Sequence, residues 1–125
     1  MLIRFTIFRS CETSHSSLGV FQAIFELRDS GQLSDYEMEI VQRELDWLKM
    51  HLKSPRVLRD SRMERAISWF KPEAARPIEK VRSLCQILQE HGFLVKMLKT
   101  DTPGTILYQD GWQVVAKPKR DGPKF

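Results

Sequence analysis

The chain has 125 residues, 42% of them hydrophobic and 29% charged, with a formal net charge of +4 and two cysteines. That is room for one domain, and so ordinary a balance excludes collagen-like repeats, low-complexity tails and a disordered chain. The longest uncharged apolar run, Gly19 to Phe25, is far too short to span a bilayer, and no apolar export segment follows Met1. With Cys11 and Cys85 standing 74 positions apart, neither a disulfide framework nor a zinc knuckle fits, and the expectation is a reduced cytoplasmic protein without membrane contact.

Met1 to Phe8 reads as a strand, because Ile3, Phe5 and Ile7 alternate with a mixed face. A polar stretch from Ser10 to Ser17 offers helix N-caps. Leu18 to Arg28 then carries apolar residues at helical spacing, and Ser30-Gly31 stops it. Ser34 and Glu37 have the spacing of a capping box, opening a helix that runs to about Leu52 and buries Met38, Val41, Leu45, Leu48 and Leu52. The two helices make an αα-hairpin.

Ser54 to Glu64 has no apolar period and reads as a loop. Arg65 to Lys71 is a second strand, with Trp69 in the sheet, and Pro72 marks the start of a helix from Glu73 to Glu90. Gly92 supplies its left-handed cap, and Phe93 to Leu98 is a strand. Strand, helix and strand form a βαβ unit with an expected right-handed crossover. Thr102-Pro103-Gly104 turns the chain into a hairpin of Thr105–Gln109 and Trp112–Ala116 around Asp110-Gly111, with Tyr108 on the face of Ile106 and Trp112 packed across the hairpin. The fold class is α+β, in the order β-α-α-β-α-β-β-β, a mixed sheet with three helices mainly on one face. The single domain, 1–125, divides into a strand plus αα-hairpin (1–53), an arginine-rich loop (54–64), a βαβ unit plus hairpin (65–116) and a basic tail (117–125).

Trp69-Phe70-Lys71, the block from Pro103 to Asp110, Gln113-Val114-Val115-Ala116 and the earlier Leu18-Gly19-Val20-Phe21 together resemble a widespread family of small bacterial proteins with no assigned activity. Members often carry cysteine and an acidic residue where this chain has Ser68 and Gly111. The resemblance implies a bacterial, phage or mobile-element origin, and it carries over no functional residue.

Charge is distributed unevenly. Residues 1–53 hold six Lys/Arg and eight Asp/Glu, whereas residues 54–125 hold fourteen and eight, so the halves carry −2 and +6. Arg56, Arg59, Arg62 and Arg65 recur every third residue, which lines guanidinium groups on one side of an extended or 3₁₀-like segment. Lys117, Lys119, Arg120 and Lys124 give the tail +3 over nine residues. With Lys71 these cations form a candidate binding face for phosphates, and Trp69, Tyr108, Trp112 and Phe125 are candidate stacking platforms beside it. The bland alternatives are a solvated loop, a frayed terminus and aromatics used in packing.

For chemistry, Cys11 and His15 lie four apart, with Arg9 nearby, as a nucleophile and base would; a capping loop with an incidental cysteine is the plainer reading. His15, Arg4, Arg9 and Lys71 would converge at one sheet edge if the first two strands are neighbours, the arrangement of a metal-free nuclease. His51 and His91 sit in the last turns of their helices, where capping explains them. No HExxH, CxxC pair, P-loop or GxGxxG is present, so no metal site and no cofactor is expected. The leading expectation is a non-enzymatic protein binding nucleic acid or a nucleic-acid-associated protein. Two others stand beside it: an inhibitor or adaptor presenting Asp35, Glu37, Glu39, Glu44 and Asp46 as a polyanion mimic, and a toxin-like ribonuclease or transferase.

Overall fold

The computed structural model describes residues 1–9, 18–52 and 66–118, with Arg9 and Leu18 described by backbone alone. In chain order the elements are β1 (Leu2–Arg9), β2 (Leu18–Gly19), α1 (Val20–Asp29), α2 (Asp35–His51), β3 (Ile67–Phe70), α3 (Ala75–Glu90), β4 (Phe93–Thr100), β5 (Thr105–Gln109) and β6 (Gln113–Lys117). This is the expected α+β order with one short strand added. The loop expected at 54–64 lies outside the described residues.

Differences at the element ends have local causes. Leu18 and Gly19 satisfy their backbone by pairing with Ile7 and Thr6 of β1, so α1 starts only at Val20. Pro72 does not open α3; a turn follows it, closed by the Ala74 N–H donating to the Lys71 carbonyl at 2.9 Å. The proline inside the helix is Pro77, in the first turn, where no N–H is required. Ser34 and Glu37 do form the reciprocal capping box, at 3.1 and 3.0 Å. Gly92 takes φ 90°, the left-handed cap that stops α3.

Every pairing between described strands is antiparallel. β1 is central: β4 follows one of its edges across all eight residues, while β3 and β2 share the other, meeting it at Ile3 and at Thr6–Ile7. β3 and β4 therefore run parallel but are not neighbours, because β1 lies between them. The βαβ unit is a split one. On the far side of β3 follow β6 and then β5.

Ile3, Phe5 and Ile7 face the helices and join Ile24, Leu27, Val41, Leu48, Val81, Leu84 and Leu88 in one core. Trp69, its partner Val114, and Ala116 take the opposite face and are also buried. α2 and α3 are tied by Glu44, 97% buried at its side chain, whose carboxylate lies 3.4 Å from Lys80 Nζ and 3.1 Å from Arg43 Nε. His91, expected as a capping residue, is the C-cap of α3, and its ring also faces Glu37 at 2.8 Å.

Two aromatic expectations need correcting. Between Ile106 and Tyr108 the β5–β6 register shifts: Ile106 opposes Ala116 but Tyr108 opposes Val115. The extra residue of this bulge turns Tyr108 to the face opposite Ile106. Trp112, placed at the turn rather than in β6, stacks on Trp47 of α2 with centroids 5.9 Å apart instead of packing across the hairpin.

Candidate binding surfaces

Of the residues proposed from the sequence, Cys11, His15, Arg56, Arg59, Arg62, Arg65, Lys119, Arg120, Lys124 and Phe125 lie outside the described residues. Arg9, Lys71 and Lys117 can be placed. β1 and β3 are neighbours, as a convergence of Arg4, Arg9 and Lys71 requires, but the register separates Arg9 from the other two. Ile3 opposes Phe70, so Lys71 sits at the start of β1, whereas Arg9 ends it opposite Phe93. Seven residues of strand put them ~23 Å apart. Lys71 and Lys117 likewise occupy opposite ends of the β3–β6 pair, which runs from Phe70–Gln113 to Ile67–Ala116. No single basic patch gathers them.

A different group of cations does assemble. Lys96 and Lys99 are exposed on β4, which pairs only β1 among the described strands. Arg82 of α3 reaches that strand, its Nη2 lying 3.8 Å from Met97 Sδ, and Met97 stands between the two lysines in sequence. Arg82, Lys96 and Lys99 thus line one sheet edge as a basic strip that spans both faces: Lys99, opposite Ile3, lies with Arg82 and Met97 on the helix-bearing face, and Lys96, opposite Thr6, lies with exposed Leu94 on the other. Lysines on an edge strand also oppose edge-to-edge aggregation. Charge spacing in the sequence gives no hint of this strip, because Arg82 joins it only through the packing of α3 on the sheet.

The acidic hairpin is not a uniform surface. Glu44 is buried against Lys80, and Glu37 is held by Ser34 and His91, leaving Asp35, Glu39 and Asp46 as its outward carboxylates.

A second feature, missed from sequence, lies where β2 and β3 part on the edge of β1. Arg4 and Phe5 fall in the break between them, and a cavity of about 620 Å³ opens there under α1 and α2. Arg4 Nη1 donates to the Ser68 carbonyl at 3.5 Å, and its Nε is buried without a hydrogen-bond partner. Burial holds the guanidinium pKa below its ordinary value. Beyond it runs a polar chain: Ser68 Oγ donates to Gln113 Oε1 at 3.2 Å, and Gln113 Nε2 donates to Asp110 Oδ2 at 3.5 Å. Asp110 also accepts the Tyr108 hydroxyl at 2.8 Å and the backbone N–H groups of Trp112 and Gln113, both at 2.9 Å. Burial pushes the Asp110 carboxyl up, but these donors outweigh it and hold it low.

The Cys85 thiol is pushed by burial up to about 12, only partly offset by Arg82, which makes it inert packing in α3. Among the described residues no cluster of His, Cys, Asp and Glu could hold a metal ion, and no helix is long and apolar enough to cross a membrane. No family model, curated protein or solved structure matches the chain.

Proposed function

We propose that the chain is a non-enzymatic binding protein of bacterial or phage origin, whose basic second half contacts nucleic acid or a protein assembly that carries it. One observation carries the reading. Lys71, Arg76, Arg82, Lys96, Lys99 and Lys117 make no ion pair among the described residues, so most of the described positive charge of the second half is left uncompensated there. Cations without internal partners give a field that attracts a polyanion and are released from counterions when it binds. The strip of Arg82, Lys96 and Lys99 supplies three such charges along one edge strand, and the arginine repeat at 56–65 and the basic tail add to the same sign.

The experiment is a binding titration of short single- and double-stranded DNA and RNA against the full chain and against a variant carrying Arg56→Ala, Arg59→Ala and Arg62→Ala. The reading expects micromolar binding, weakened by about tenfold or more in the variant at unchanged thermal stability. Equal binding by the variant would remove the arginine repeat from the interface.

A further inference from the structure

We infer that the cavity at the β2–β3 break binds an apolar-tailed carboxylate, with Arg4 as the group that holds its anionic end. The sheet is incomplete at this point, since β1 meets β3 at Ile3 and β2 only from Thr6, and the space of about 620 Å³ left beside Arg4 is that of a small-molecule site.

Arg4 is the anomaly that motivates the assignment. Among the described residues its Nε is buried with no acceptor, its Nη1 has only a 3.5 Å contact to a carbonyl, and no carboxylate pairs with it. A desolvated guanidinium without a counter-charge is costly, and an anion entering the cavity offsets that cost directly. The neighbouring polar groups are already committed. The Ser68 hydroxyl donates to Gln113, the Gln113 amide donates to Asp110, and Asp46 accepts from Gln42 at 2.8 Å. The Arg4 Nε is thus a buried donor left without an acceptor among the described residues, and a planar guanidinium suits a carboxylate.

Charge and shape narrow the ligand. Arg4 is the part-buried cation of a lining that also holds Arg28, paired to Asp29, exposed Lys49 and the Asp46 carboxylate, and a single carboxylate balances the one guanidinium whose Nε has no acceptor. The apolar part of the wall is formed by Phe21, Phe25, Leu45, Leu48 and Phe70. Phe21 and Phe25, one turn apart on α1, are 36% and 40% exposed and mark the mouth; buried apolar residues lie within. A medium-length alkyl chain fits this wall with its carboxylate at Arg4.

The test is calorimetric titration of the full chain with decanoate and with 1-decanol, in the wild type, in Arg4→Met and in Leu45→Trp. Arg4→Met keeps the bulk and removes the charge; Leu45→Trp fills the cavity and keeps Arg4. Wild type should bind one decanoate about tenfold or more tighter than decanol, and Arg4→Met should lose that preference while still binding decanol. Leu45→Trp should bind neither, with melting curves confirming that both variants fold. No saturable decanoate binding, equal affinity for acid and alcohol, or full decanoate affinity in either folded variant would overturn the assignment.

Discussion

Glu37 Oε2 lies 2.8 Å from His91 Nε2, across 54 residues of chain, while Glu37 Oε1 accepts the Ser34 backbone N–H at 3.0 Å. One carboxylate therefore caps the start of α2 and fastens it to the end of α3. The Ser34 N–H first, and His91 after it, hold the Glu37 carboxyl below its ordinary 4.5.

The sign of the pH dependence follows. A carboxyl whose folded pKa is lowered contributes stability that is complete above its unfolded value and is withdrawn as pH falls through the folded one. Urea midpoints should therefore decline below about pH 4.5, and Glu37→Gln should flatten that acid limb. Ser34→Ala, which removes only the reciprocal cap, should cost about 1 kcal/mol at neutral pH. An unchanged acid limb in Glu37→Gln would show that other carboxylates govern it.

Asp110 and Tyr108 give a spectroscopic prediction. The hydrogen bond to Asp110, with burial and the carboxylate charge adding to it, raises the Tyr108 hydroxyl above its ordinary 10.0. Ultraviolet titration should find one tyrosine ionising late, and Asp110→Asn should bring it back towards 10.0. The same variant should loosen the hairpin, because Asp110 also holds the N–H groups of Trp112 and Gln113.

Two glycines should respond differently to alanine. Gly104 has φ 107°, and a Cβ there would run into the Lys117 carbonyl, with the Pro118 Cα only 2.9 Å away. Gly31 also has positive φ, 76°, but faces open space. Gly31→Ala should cost ~1 kcal/mol from the backbone alone. Gly104→Ala adds a clash with backbone that cannot move aside and should cost ~3 kcal/mol, read by chemical denaturation.

The elements were legible where one local signal set them: the Ser34 cap, the alternation of Ile3, Phe5 and Ile7, the Gly92 stop. What escaped depended on partners distant in sequence. Leu18 and Gly19 read as helix until β1 claims their backbone, and Tyr108 reads with Ile106 until the bulge reverses it. The candidate sites were legible as charge but not as geometry. The separation of Lys71 from Arg9 is set by the Ile3–Phe70 register, and the isolation of Arg4 by the break between β2 and β3. Neither leaves a periodic trace.

The central claim, that the uncompensated cations of the second half meet a polyanion, is tested most directly by salt. Fluorescence anisotropy of labelled single- and double-stranded DNA and RNA, titrated with the chain at several salt concentrations, gives the slope of log affinity against log salt. The account predicts a steep negative slope that becomes shallower by about 2–3 when Arg82, Lys96 and Lys99 are all replaced by glutamine. No binding at low salt, or a slope unchanged in the triple variant, would contradict it.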